Sequence, residues 1–308
     1  MSSANVDMGI IFLIQTSTGI LGNSTLLCFY SFLLFSGHTV RPTDLILGQL
    51  VLANSMVLFT RGVPQTVACF GWKPFLDDVG CKLAFYLHRV GRGVSLSTTC
   101  LLSVFQALKL CTNYFQSFGI QIQSPRCISF CCVLLWVLHL FINIIVPLNM
   151  TQLVDSKNVS VMRKNFGYCS APVLDKLTAG LHAVLFSLFD VMTLGIMCWA
   201  SGSMVLALHR HRQRVQHIHS HSLSSRPSHE ARATRTILIL VSSFILFNSI
   251  ASIFTFCFSF VNPGHRVVQT SLLASLCFPT LSSFLLISTD SRISQFCFSC
   301  WQRQQYIC

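Results

Sequence analysis

Residues 236–261, TILILVSSFILFNSIASIFTFCFSFV, form a run of 26 residues without a single Asp, Glu, Lys or Arg. At a helical rise of 1.5 Å per residue, a run of this length exceeds the ~30 Å hydrocarbon core of a bilayer. Backbone polar groups in lipid must be hydrogen-bonded within the segment itself. The run therefore predicts a membrane-spanning α-helix.

The composition extends this prediction to the whole chain. Of 308 residues, 52% are hydrophobic and only 10% are charged, and the formal net charge is +12. Soluble proteins carry about 25% charged residues, so the chain has no room for a sizeable soluble domain. Its basic residues lie in the gaps between apolar runs, which argues against a nucleic-acid partner. Most of the 15 cysteines lie inside apolar runs, where they act as small hydrophobic residues rather than as a disulfide scaffold.

Seven apolar runs are long enough to cross a bilayer. We predict an all-α membrane protein with a single domain over residues 1–308, a seven-transmembrane helix bundle. The predicted helices cover residues 9–34, 44–70, 83–108, 127–148, 179–208, 236–261 and 267–287. No basic region precedes the first run, so it is expected to remain as a helix rather than to be cleaved as a signal peptide.

The distribution of Lys and Arg predicts the orientation of the bundle. With the N-terminus outside, the inner segments carry eleven of these residues, the short outer segments carry four, and one longer outer loop carries four more. Because positive charge accumulates in cytoplasmic loops, the C-terminus is predicted to be cytoplasmic.

Two outer cysteines, Cys81 and Cys169, face the compartment in which disulfides persist. A bridge between them would hold the long outer loop across the mouth of the bundle, although two unpaired thiols are the alternative. In the same loop, the sequon Asn158-Val159-Ser160 is the candidate glycosylation site.

Charged residues within the membrane are costly and are therefore candidates for function. Helix three carries Arg89 and Arg92, and the only acid of helix five is Asp190. We expect Asp190 to pair with one of the two arginines, so that the other faces a cavity open to an anionic or hydrogen-bond-accepting ligand. His182 is a further candidate for the cavity wall. A purely structural polar lock is the alternative.

The inner segments have their own signals. Six arginines lie between positions 210 and 235, where a solvated basic face meeting anionic lipid is the ordinary interpretation. The His-x-His steps there lack the Cys or carboxylate partners of a metal site. Cys297 and Cys300, with aromatic neighbours after the last helix, are candidates for S-acylation.

No catalytic or phosphate-binding motif is present, so we expect neither enzymatic activity, nor a cofactor, nor a metal.

Several stretches carry a family resemblance. They are HTVRPTDLIL (38–47), LDDVGCK (76–82), YLHRV (86–90), LLSVFQA (101–107), the His-rich inner loop and CFPTLS (277–282). Together they closely resemble the vomeronasal type-1 receptor family from end to end.

This resemblance implies a G-protein-coupled pheromone receptor of the plasma membrane that detects a small molecule within the bundle and activates an inhibitory-class heterotrimeric G protein. The residues expected to face the G protein are Gln106, Lys109, Arg210, Arg212 and Arg232. The resemblance also implies that the ionic latch and sodium pocket of the wider rhodopsin-like class are missing, since Phe105-Gln106-Ala107 replaces Asp-Arg-Tyr in helix three and Asn54 stands where helix two usually has an acid. A bitter-taste receptor, a transporter or channel and a non-signalling relic are the alternatives.

Overall fold

The computed structural model describes residues 3–36, 40–71, 76–112, 124–144, 151–152, 163–165, 169–172, 176–218, 229–260, 265–290 and 292–296. Seven long helices dominate it: α1 Ser3–Phe35, α2 Pro42–Cys69, α3 Asp78–Thr112, α4 Pro125–Ile142, α5 Lys176–Ile218, α6 His229–Phe260 and α7 His265–Thr289. Each contains a span of 18 to 32 residues that is apolar enough to cross a membrane. The predicted seven-helix architecture is confirmed for the described part of the chain.

The helices α4 and α5 expose large apolar side chains, among them Phe130, Phe141 and Trp199. Such a surface is unfavourable in water and is what a lipid-facing helix presents. The most buried helix is α3, which packs against both α2 and α5. Side chains of α3 are therefore the ones best placed to meet several other helices.

Several helix boundaries differ from those predicted, and the clearest cases are in α4, α5 and α6. Helix α4 ends at Ile142, and residues 145–148 lie outside the described part. Helix α5 extends to Ile218, ten residues beyond the predicted end, and α6 begins at His229 rather than at residue 236. Apolarity marks only the part of a helix that lies in lipid, whereas backbone hydrogen bonding continues into water where residues such as Arg and Gln favour helix.

Helix α2 contains a π-helical turn, Leu58–Gly62, which the sequence analysis did not predict. Pro64 follows two residues later. A proline in a helix has no N–H for the carbonyl four residues before it, and its ring crowds that carbonyl. The wide turn lies directly before this disruption and carries Arg61.

A small antiparallel sheet is the one described departure from an all-helical fold. Its strands are β1 Thr151–Gln152, β2 Arg163–Asn165 and β3 Cys169–Pro172, in the order β1-β3-β2. Gln152 pairs with Cys169, and Lys164 pairs with Ala171. Strand β1 also contacts α3, so the sheet lies against the third helix.

Helices α1 and α7 approach closely through two glycines. A Cβ added to Gly19 would lie 2.7 Å from Oγ1 of Thr280, and one added to Gly22 would overlap with Ser283. Between the two helices, Nδ2 of Asn23 donates to the carbonyl oxygens of Gly19 and Pro279, at 2.8 Å in each case. The glycines thus allow a buried amide to reach the backbone of the facing helix.

A similar approach joins α3 to α4. A Cβ added to Gly93 would overlap with the ring of His139, at 2.6 Å from Cε1. Nε2 of that ring lies 2.8 Å from Oγ of Ser97, and the ring packs edge-on against Phe189. The imidazole therefore has little freedom to move aside.

We expect Gly93→Ala to destabilise the protein by about 1–3 kcal/mol, because overpacking a tight contact forces side chains and backbone to shift. The measurement is the thermal stability of the solubilised protein by fluorescence-detected size exclusion. Gly202→Ala is the matched control, since a Cβ added to Gly202 meets nothing within 4 Å. Equal stability of the two variants would contradict this account of the α3–α4 contact.

Beyond α7, residues 292–296 form a short helical segment that is clamped to α2. Arg292 donates from Nη2 to Oδ1 of Asp44 at 2.9 Å and from Nη1 to Oδ2 at 3.2 Å. It also donates to Asp290, at 2.7 Å. Phe296 of the segment packs against Phe29 of α1. We call Asp44, Asp290 and Arg292 the inner clamp.

Candidate functional site

The buried charges meet at one point between α3, α5 and α6. Nη2 of Arg92 donates to Oδ2 of Asp190 at 2.8 Å and to Oγ of Ser252 at 2.8 Å. Ser252 in turn donates to Oδ2 of Asp190 at 2.9 Å. The structure therefore pairs Asp190 with Arg92 rather than with Arg89, and adds a hydroxyl from a third helix. We call these three residues the polar triad.

Arg89 lies one turn away from Arg92 and has a different environment. Its guanidinium carbon is 4.0 Å from the ring centroid of Phe186, which stands one helical turn before Asp190. Cation–π contacts of this kind partly compensate a guanidinium that is partly withdrawn from water. Within the described residues, Arg89 has no carboxylate bonded to it.

The site carries an excess of positive charge. Arg61, from the π turn of α2, lies close enough to act electrostatically on Arg89. In the described membrane-spanning segments of this region, the guanidiniums of Arg89 and Arg92 thus stand against the single carboxylate of Asp190. An anionic group would be attracted to such a site.

Uncharged side chains form a hydrogen-bonded network about one helical turn after Arg92 along α3. Oγ of Ser95 donates to Oδ1 of Asn54 at 2.8 Å, and Nδ2 of Asn54 donates to Oγ of Ser282 at 3.1 Å. The amide joins α2 to α3 and α7 with both of its polar atoms bonded. Asn54 therefore works as a neutral hydrogen-bonding link.

The structure describes only some of the residues predicted for the disulfide, the cavity wall, glycosylation and acylation. Cys81 is disulfide-bonded, and the backbone of Cys169 lies in β3 beside strand β1, which contacts α3. The side chain of Cys169 is outside the described part, as is that of His182 in α5. Asn158, Cys297 and Cys300 lie wholly outside the described residues.

The residues predicted to face the G protein differ in their solvent exposure. Lys109 and Arg210 are exposed, whereas Gln106 is only 6% exposed. Next to Gln106, Ala107 packs with Met204 of α5 and Leu238 of α6 in an apolar cluster. The side chains of Arg212 and Arg232 are not among those described. The ends of α3, α5 and α6 that carry these candidates are thus closed together, and Gln106 is covered.

The chain matches the vomeronasal organ pheromone receptor family over residues 6–299. It belongs to this family. The human vomeronasal type-1 receptor 1 is 55% identical over 305 residues, which cover 99% of this chain and 86% of that receptor. The human vomeronasal type-1 receptor 4 is 45% identical over 304 residues, covering 98% of this chain and all of that receptor.

A more distant relative is the zebrafish (Danio rerio) olfactory receptor class A-like protein 1, which is 32% identical over 287 residues. They cover 92% of this chain and 90% of the zebrafish protein. The vomeronasal receptor chain is accordingly a multi-pass membrane protein and a G-protein-coupled type of chemosensory receptor, from a family of receptors and not of enzymes. The bitter-taste and transporter alternatives do not describe its family.

Two members of the vomeronasal receptor site were missed from sequence. Ser252 is one of several serines in the apolar run of α6, and no signal distinguishes it from the others. Phe186 has a weak signal, because it stands four residues before Asp190 and so shares its helix face. Only the assembled bundle brings both to the arginines.

Proposed function

We propose that this receptor binds a small organic molecule with an anionic or hydrogen-bond-accepting group, inside the bundle and beside Arg89 and Arg92. The observation that carries the proposal is the imbalance of charge, since Asp190 is hydrogen-bonded to Arg92, whereas Arg89 packs on an aromatic ring and is attracted by Asp190 without a hydrogen bond to it within the described residues. A partly buried guanidinium without a bonded anion is unfavourable, and a ligand anion would supply the missing partner.

The outer loop supports an approach from outside the cell. We assign the N-terminus to the outside of the plasma membrane and the C-terminus to the cytoplasm, as the distribution of Lys and Arg favours. A Cys81–Cys169 disulfide would hold the β1-β3-β2 sheet against the outer end of α3, which agrees with the contact between β1 and that helix. In this orientation His182 belongs to the ligand side and Asn158 to a glycosylated loop.

The inner surface is proposed to meet an inhibitory-class heterotrimeric G protein. Lys109 and Arg210 are exposed at this end, and Arg212 and Arg232 flank the basic inner loop. Gln106 would reach the G protein only after α6 moves away from α3. Cys297 and Cys300 would be acylated at the inner leaflet and hold the C-terminal segment on the membrane.

Arg89→Gln is expected to reduce ligand potency about tenfold or more, because a hydrogen bond to a charged group contributes roughly 1.5–3 kcal/mol. Cells expressing the full chain with a promiscuous G protein and a calcium reporter are screened with matched pairs of compounds. Each pair is a sulfate or carboxylate and its neutral parent alcohol. We expect the anionic members to activate the receptor.

Arg126→Gln is the control for loss of one positive charge, since Arg126 is exposed at the start of α4, remote from the site. Pertussis toxin, which inactivates inhibitory-class G proteins, is expected to abolish the response when the promiscuous G protein is left out. Equal potency of neutral and anionic compounds, with no effect of Arg89→Gln, would refute the proposed ligand chemistry.

A further inference from the structure

The polar triad connects α6 to the charged pair of the ligand site. Ser252 is the only member of the triad that belongs to α6, and its hydroxyl both accepts from Arg92 and donates to Asp190. The bonds of 2.8 and 2.9 Å are charge-assisted, because each involves an ionised partner. The hydroxyl thus fixes α6 against α3 and α5.

The inner end of the same three helices is closed. Ala107 of α3, Met204 of α5 and Leu238 of α6 pack together, and Gln106 is covered. The triad bonds therefore belong to the arrangement in which the inner surface is shut. A contact that is made in this arrangement and lost in the open one stabilises the closed state.

A ligand anion would compete with Asp190 and Ser252 for the hydrogen atoms of Nη2 of Arg92. Nη2 of a guanidinium carries two hydrogens, and here one is donated to Asp190 and the other to Ser252. A ligand anion that accepts a bond from Nη2 must replace one of these acceptors. Ser252 is neutral and Asp190 is charged, so Ser252 is the acceptor that is displaced at lower cost.

We propose that Ser252 is a positioning residue that holds α6 in the closed arrangement, and that a ligand weakens this hold on α6 by taking the Arg92 hydrogen bond from Ser252. This inference rests on the proposed function for the chemistry of the ligand. Its effect on α6 is independent of any ligand, since removal of the Ser252 hydroxyl breaks the bond to Arg92 that the ligand would take, together with the bond to Asp190.

The test measures ligand-independent signalling by Ser252→Ala in the full-length receptor. Activation is recorded with a panel of heterotrimeric G proteins carrying an energy-transfer pair, at matched surface amounts of receptor. Loss of a hydrogen bond to a charged group shifts a two-state equilibrium by about a factor of ten. We expect basal signalling to rise several-fold towards that limit.

Two variants control the experiment. Ser243→Ala removes a hydroxyl from the same helix, but that hydroxyl donates only to the carbonyl of Leu240, at 2.8 Å, so basal signalling is expected to stay at the wild-type level. Ser252→Thr keeps a hydroxyl at the triad and is expected to remain close to wild type.

Wild-type basal signalling by Ser252→Ala would overturn the inference, as would an equal rise in Ser252→Thr. If Ser252→Ala fails to reach the surface while Ser252→Thr succeeds, the hydroxyl is a folding element and the inference is also wrong. The Arg89→Gln screen reports on ligand chemistry alone, so the proposed function and this inference can fail separately.

Discussion

Asp190→Asn is expected to remove most of the receptor from the cell surface. Asp190 is 15% exposed and Arg92 is 19% exposed, and removal of one partner from such a pair leaves an uncompensated charge, at a cost of about 3–5 kcal/mol. The cost is raised here by Arg89, which brings a further positive charge to a region from which the only described acid has been removed. Surface amount and thermal stability of the solubilised receptor measure the effect.

The double variant Asp190→Asn/Arg92→Gln is expected to recover part of this loss, because neither charge is then left without its partner. Asp7→Asn is the control for loss of an acid, since Asp7 is exposed near the start of α1. A double variant no more stable than the worse of the two single variants would remove the support for the pair as an energetic unit.

Arg292→Gln is expected to destabilise the receptor by roughly 2–4 kcal/mol. The change leaves Asp44, which is 4% exposed, without its bidentate partner. Because Arg292 itself is 35% exposed, water partly screens the pair, and the expected loss lies below that of a fully buried pair. Arg292→Lys keeps the charge but not the planar fork, so an intermediate loss is expected.

Asp290→Asn is the matched control for the inner clamp. It removes the acid that is two residues from Arg292 and leaves the bond between α2 and the terminal segment in place. If Asp290→Asn destabilises the receptor as much as Arg292→Gln does, the bond to Asp44 is not the stabilising one.

The inner clamp should also persist in alkaline solution. Hydrogen bonds from Arg292 to Asp44 and then to Asp290 raise the pKa of the guanidinium above its ordinary value. A group with a raised folded-state pKa loses its contribution only as the pH rises through that value. The contribution of Arg292 is therefore constant across the neutral and moderately alkaline range.

The number of helices was predictable because apolar length can be compared directly with the thickness of a bilayer. The Arg92–Asp190 pair was accessible for a related reason, since charged residues are few within the membrane and each needs a partner. The role of Ser252 was not predictable, because a hydroxyl in an apolar run is common. Its partners Asp190 and Arg92 lie on other helices, at sequence separations of 62 and 160 residues.

The inner clamp could not be predicted from the sequence for the same reason. Asp44 and Arg292 are separated by 248 positions, and each has an adequate local explanation. Asp44 lies in the first turn of α2, where an acid is favoured by the helix dipole, and Arg292 counts among the inner positive charges. The small sheet and the π turn were likewise unmarked, because neither polarity nor length distinguishes them from a loop or from a regular helix.

The π turn of α2 has a consequence for any sequence alignment or engineered change in this region. A π turn holds about one residue more than an α-helical turn, and one residue corresponds to about 100° of rotation. The residues after Gly62 are therefore out of phase with those before Leu58. A deletion of one residue within Leu58–Gly62 would turn Gln65 and Cys69 by a quarter of a circle relative to Asn54, without altering the hydropathy of the helix.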